Sequence, residues 1–121
     1  MAKKILIVDD ASLIRNVTQK AAQEAGYETV VAKDGQEGLE ILLKGGVDLI
    51  FSDVNMPVMG GLEMVEKIRQ EERLKFIPIV MLTTESKAAL KQQAQELGVK
   101  AWLLKPFNKE KFLLVLSKLL G

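Results

Sequence analysis

Two adjacent aspartates, Asp9-Asp10, follow the first apolar run of this 121-residue chain. A third, Asp53, follows another such run, and the hydroxyls of Thr83-Thr84 and the amine of Lys105 follow two more. Taken singly, each is an ordinary polar residue leaving an apolar segment. Taken together, they define a chemistry. Carboxylates that converge on one crevice repel each other and raise each other's pKa unless a cation sits among them. A hard divalent ion meets that need: magnesium takes oxygen ligands, keeps several waters, and is held by one or two carboxylates together with phosphate oxygens. The set therefore predicts a metal and a phosphoryl group side by side. Lys105 would bring positive charge to phosphoryl oxygens and Thr83 a hydroxyl donor, where negative charge develops during transfer. A carboxylate is an adequate nucleophile for forming an aspartyl phosphate. With no cysteine and no histidine in the chain, disulfides, zinc sites built on either ligand and nucleophiles of either type are excluded.

Elements that could bring these residues together are legible as short apolar runs alternating with longer amphipathic ones. Ile5-Leu6-Ile7-Val8 is a buried run, followed by Leu13, Ile14, Val17, Ala21 and Ala25 at helical spacing up to Gly26. Glu28 to Ala32 predicts a second strand, and Asp34-Gly35 opens a helix carrying Leu39, Leu42 and Leu43 that stops at Gly45-Gly46. Asp48 to Ser52 predicts the third strand, a loop runs from Asp53 to Gly61, and Leu62, Val65 and Ile68 lie on the third helix. Ile77 to Leu82 gives a fourth strand. Ser86 caps a helix burying Ala89, Leu90, Ala94 and Leu97, and Ala101 to Leu104 is a fifth strand before a last helix capped by Asn108. Continuously apolar strands alternating with helices indicate a doubly wound α/β fold, with a parallel sheet covered on both faces. Ligands in such sheets bind outside the carboxyl ends of the strands, which is where the residues above fall. On the last helix, Phe112, Leu113, Val115, Leu116, Leu119 and Leu120 span roughly 160°, with Leu114 outside that arc, so helix four, strand five and helix five are expected to carry an apolar docking patch.

Composition narrows the function further. At 121 residues, 48% hydrophobic and 27% charged, the chain is an ordinary single globular domain over 1–121 with no second domain expected. A net charge of +1 with dispersed Lys and Arg leaves no electrostatic footprint for nucleic acid. No run approaches the roughly 20 apolar residues of a membrane span, and the start is too short in apolar residues for a secretory signal, so a cytoplasmic protein is expected. A small phosphatase with an aspartyl nucleophile is disfavoured because Asp9 and Asp10 are adjacent rather than alternate. A flavin carrier is disfavoured by the 5% aromatic content and the absence of a Ser/Thr-rich loop after the first strand. A calcium loop from Asp53 fails because Pro57 stands at its third ligand position.

Asp9-Asp10, Asp53, Thr83 and the triplet Lys105-Pro106-Phe107, in register over essentially the whole chain, resemble the response-regulator receiver family, most closely its stand-alone chemotaxis members. The resemblance implies a flavodoxin-like sheet of order 2-1-3-4-5 with five helices. It implies a switch in two-component signalling, with Asp53 as phosphoacceptor, that catalyses only its own phosphorylation and dephosphorylation. Mg²⁺, with Mn²⁺ as a substitute, would be bound by Asp10, Asp53 and the backbone carbonyl of Asn55, with Asp9 acting through water. Lys105 would pair with the phosphoryl group, aimed by a cis Lys105-Pro106 peptide. Thr83 would move toward the phosphoryl oxygens, making room for the strand-five aromatic, here Trp102, to turn inward. Asn55 and Glu85 would tune water attack, and their types imply self-limiting dephosphorylation. Implied partners are a histidine kinase, a downstream target such as the flagellar motor switch, and a phosphatase, with the chain itself a monomer. A phosphorelay intermediate or a pilus-motility regulator is the alternative within the family. Two positions depart from the family pattern: Trp102 stands where Tyr, Phe or His is common, and Gly60 stands where Asp or Asn usually precedes the loop's glycine.

Overall fold

The apolar runs form five strands, β1 (Lys4–Val8), β2 (Glu28–Ala32), β3 (Leu49–Asp53), β4 (Ile79–Thr83) and β5 (Ala101–Leu104). They alternate with helices α1 (Ser12–Glu24), α2 (Gly35–Leu43), α3 (Gly61–Gln70), α4 (Ala88–Glu96) and α5 (Lys109–Leu120). The computed structural model describes residues 2–84 and 88–120; Glu85 and the expected cap Ser86 lie outside the described residues. All strand pairings are parallel, in the order β2-β1-β3-β4-β5. Sheet order reverses at β1, so the ends of β1 and β3 flank the crevice where a doubly wound sheet takes its ligand.

Alternate residues of each central strand feed two separate cores. Leu6, Val8, Ile50, Ile79 and Met81 pack with Met64, Val65 and Ile68 of α3 on one face. Ile5, Ile7, Leu49, Phe51, Val80 and Leu82 pack with Ala21 and Ala22 of α1 and Phe112 and Leu116 of α5 on the other. Two covered faces explain why these strands read as unbroken apolar runs, since neither set of side chains meets water.

Several boundaries and faces differ from the sequence expectation. β3 runs one residue later, because Asp48 stays outside it: its carboxylate Oδ2 accepts the Lys4 amide at 2.8 Å. β4 starts after Pro78, which has no N–H for the ladder although its carbonyl accepts the Ile50 amide at 3.0 Å. The inward stripe of α1 is Ile14, Thr18, Ala21 and Ala22, whereas Leu13 (72% exposed), Val17 (44%) and Ala25 face out. On α4 only Ala94 is buried, and Ala89 is exposed. Asn108 caps α5 as expected, accepting the Lys111 amide at 2.9 Å, and Asp34 caps α2 through the Glu37 amide at 2.9 Å.

Candidate functional site

Asp53 and Thr83 are the last residues of β3 and β4, so the sheet ladder itself, rather than a loop, sets their positions. Both are buried. The Asp53 Oδ1 accepts the Val54 amide at 2.8 Å and that of Asn55 at 3.4 Å, while its Oδ2 lies 3.2 Å from the Lys105 ammonium. Lys105 is placed by its own amide, which donates to the Thr83 carbonyl at 2.8 Å, and the Lys105-Pro106 peptide is cis. The same ammonium stands 3.8 Å from Asp9 Oδ2.

At the end of β1, Asp9 is almost fully buried and Asp10 is exposed. Ala11, which precedes α1, has no side chain to cap the helix, and its own amide donates to Asp9 Oδ1 at 2.9 Å. One carboxylate oxygen from each of Asp9, Asp10 and Asp53 lies within 4.8 Å of the others. Burial pushes the Asp9 carboxyl above its ordinary range, and the charges of Asp53 and Asp10 add to that push; the Ala11 amide and Lys105 oppose it. Three oxygen donors with no nitrogen or sulfur among them suit a hard divalent cation.

The loop from Val54 to Gly60 connects β3 to α3 in a tight turn. The Gly61 amide donates to the Val54 carbonyl at 2.8 Å, and a Cβ on Gly61 would clash with the Asp53 carbonyl oxygen and meet Met81 Cε at 2.7 Å. Only glycine lets α3 start this close to the end of β3. Asn55 is exposed on the same loop, beside Asp53. Glu85 falls outside the described residues. Trp102 is half-buried on β5, opposite Met81 of β4. It borders two hollows, one of about 420 Å³ shared with Leu82 and Lys105 and one of about 210 Å³ shared with Ala94 and Gln95 of α4.

Two contacts were not foreseen in the sequence. The Ser52 hydroxyl donates to the Asp53 carbonyl at 2.8 Å, and Arg15 Nη1 on α1 donates to the Asp9 carbonyl at 2.7 Å. An arginine six positions after the aspartate on a helix carries no recognisable spacing signal, so only the fold reveals it.

Residues 5–117 match the family model of the response regulator receiver domain. The chain belongs to the response-regulator receiver family. Among its curated relatives, the chemotaxis protein CheY-3 of Vibrio cholerae is 39% identical over 106 residues, covering 87% of this chain and 82% of the relative. Chemotaxis protein CheY1 of Helicobacter pylori is 40% identical over 120 residues, covering 94% of this chain and 97% of the relative. The solved structure of the V. cholerae chemotaxis protein CheY4 superposes with a TM-score of 0.93 at 44% identity, covering 98% of this chain and 99% of that one. Receiver domains of this CheY-like kind are signalling switches in two-component systems. The acidic trio of this receiver could hold a metal ion. Among the described residues, no helix is long and apolar enough to cross a membrane.

Proposed function

We propose that this receiver, residues 1–121 read as one domain, is a cytoplasmic regulator that accepts a phosphoryl group from a histidine kinase on Asp53. The observation that carries the reading is the Lys105 ammonium 3.2 Å from Asp53 Oδ2, at the mouth of a pocket lined by three carboxylates. Asp10, Asp53 and the Asn55 carbonyl would hold Mg²⁺, with Mn²⁺ as a substitute and Asp9 acting through water; when bound, the ion offsets the negative charge that gathers around the transferring phosphoryl group. In the transfer, an Asp53 carboxylate oxygen forms the new O–P bond as the donor's N–P bond breaks. Lys105 then has phosphoryl oxygens to face as well as Asp53. Thr83, at the end of the neighbouring strand, donates its hydroxyl to those oxygens. Asn55 and Glu85, by residue type, would tune the water attack that later cleaves the acyl phosphate, which makes the protein a self-limiting switch and not a turnover enzyme.

Output is delivered through a partner protein, and the similarity to chemotaxis regulators favours the flagellar motor switch. A phosphorelay or pilus-motility target is the second reading, and a dedicated phosphatase would set the lifetime of the signal. The surface that would carry the output is the α4–β5–α5 face, where Leu104 (53% exposed) and Leu114 (55%) are presented to solvent. A Leu114→Glu variant that bound its target normally would remove that assignment.

Beryllofluoride, a stable mimic of the aspartyl phosphate, tests the central reading. Titrated with Mg²⁺, it should give a saturable change in the fluorescence of Trp102, the only tryptophan. The change should vanish without the metal and in Asp53→Asn. Calorimetry showing no binding at all would end the phosphoacceptor reading, and binding with unchanged fluorescence would remove Trp102 from the switch.

A further inference from the structure

Asp9 is held at three of its polar atoms. Its amide donates to the Ala32 carbonyl at 3.1 Å, its Oδ1 accepts the Ala11 amide at 2.9 Å, and its carbonyl accepts Arg15 Nη1 at 2.7 Å. The first two bonds are made by the sheet and the helix start. The third is made by a side chain alone, and it falls on the peptide that joins Asp9 to Asp10, the exposed carboxylate of the trio. Among the described residues, the Arg15 guanidinium forms no ion pair with any carboxylate, although three lie in the adjacent pocket. Its charge instead faces a neutral carbonyl, where a charge-assisted hydrogen bond is short and directional.

We infer that Arg15 is a positioning residue for the cation site: it fixes the Asp9–Asp10 peptide and so the direction from which the Asp10 carboxylate enters the pocket. The inference rests on the reading of the acidic trio as a Mg²⁺ site. Groups that orient ligands without touching the ion typically change metal affinity by about 10–100-fold when removed.

The two roles open to a cation beside three carboxylates predict opposite signs. If Arg15 acted only as a counter-charge, removing it would deepen the negative potential of the pocket and tighten Mg²⁺ binding. If it positions Asp10, removing it weakens binding despite the lost repulsion. Arg15→Met keeps the apolar stem and discards charge and donors; Arg15→Lys keeps the charge and discards the planar fork.

Calorimetric titration of Mg²⁺ alone into the wild type and both variants decides between them, with circular dichroism in EDTA confirming that each variant is folded. The expected result is about a tenfold weaker affinity in Arg15→Met and a smaller loss, about threefold, in Arg15→Lys. Unchanged or tighter binding in Arg15→Met overturns the inference. Should that variant not fold, unchanged affinity in Arg15→Lys overturns it instead. A wild type that binds no Mg²⁺ overturns the metal reading itself, and the positioning role with it.

Discussion

The centre of the sheet and its β5 edge are built to different tolerances. Every residue of β3 and β4 is buried, whereas none of β5 is, and α4 beside that edge buries a single alanine. Asp53 and Thr83 leave the closely packed strands, and Trp102 sits on the loosely covered one, between two hollows. Two of the groups proposed to meet a phosphoryl group, Asp53 and Thr83, come from this closely packed backbone; the third, Lys105, follows the edge strand and is tied back to the centre by its amide, which donates to the Thr83 carbonyl. The side chain proposed to change position comes from backbone with room around it. Local packing thus separates the proposed acceptor from the proposed readout, with Lys105 as the one group that links the two regions.

That division can be broken most severely at the centre. Gly61→Ala should destabilise the fold by about 3 kcal/mol, because the new methyl group runs into the Asp53 carbonyl and neither strand end nor helix start can retreat; urea denaturation would show it, and a loss under about 1 kcal/mol would mean that the centre yields more than its packing indicates. At the edge, Arg69 is the counterpart. From α3 it donates to the carbonyls of Leu97 at 2.7 Å, Lys75 at 2.7 Å, Gly98 at 3.1 Å and Ile77 at 3.3 Å, clamping the α4–β5 turn onto the rest of the molecule. Arg69→Met should cost about 2 kcal/mol, with amide exchange accelerated in α4 and β5 and little changed in β1 and β3; uniform acceleration would contradict a separately anchored edge.

Two smaller effects sharpen the contrast. The Thr18 hydroxyl is fully buried on α1 without a hydrogen-bond partner, so Thr18→Val, nearly the same shape, should stabilise the protein by about 1 kcal/mol in thermal unfolding. The smallest effect depends on pH. Asp9 is held above its ordinary carboxyl value of 3.8, so its contribution to stability is complete below the unfolded-state pKa and is lost as pH rises through the folded value. In EDTA, Asp9→Asn should therefore melt above the wild type at neutral pH, with the gap closing as pH falls to about 3. A gap that widened on acidification would reverse the assignment.

Much of this was legible beforehand because apolar runs, glycine stops and caps such as Asn108 act locally. Element order, the two-sided sheet and the positions of Asp9, Asp10, Asp53, Thr83 and Lys105 at strand ends all follow from such signals. Helix faces were less so. Leu13 and Val17 look like core residues by type, yet α1 turns Thr18 inward beside Ala21 and Ala22, because small side chains let the helix sit close to the sheet. Ala89 was misplaced for a related reason: alanine fits either environment. Arg15 and Arg69 stayed hidden because they bond to backbone carbonyls, which every residue type supplies. Gly61 reads in sequence as the end of a turn, and only the clash that a Cβ there would make with the Asp53 carbonyl shows that glycine is required.

The pair that carries the proposed chemistry, Asp53 and Lys105, is separated by 52 positions along the chain. During synthesis, which releases the amino-terminal part first, β1, β2 and β3 can pair while the lysine has yet to be added. A nascent or clipped chain in that condition shows carboxylates with no ammonium facing them, and a phosphoryl donor would meet an incomplete pocket. On the proposed mechanism, the pocket is therefore complete only once β5 has joined the sheet and brought Lys105 to Asp53.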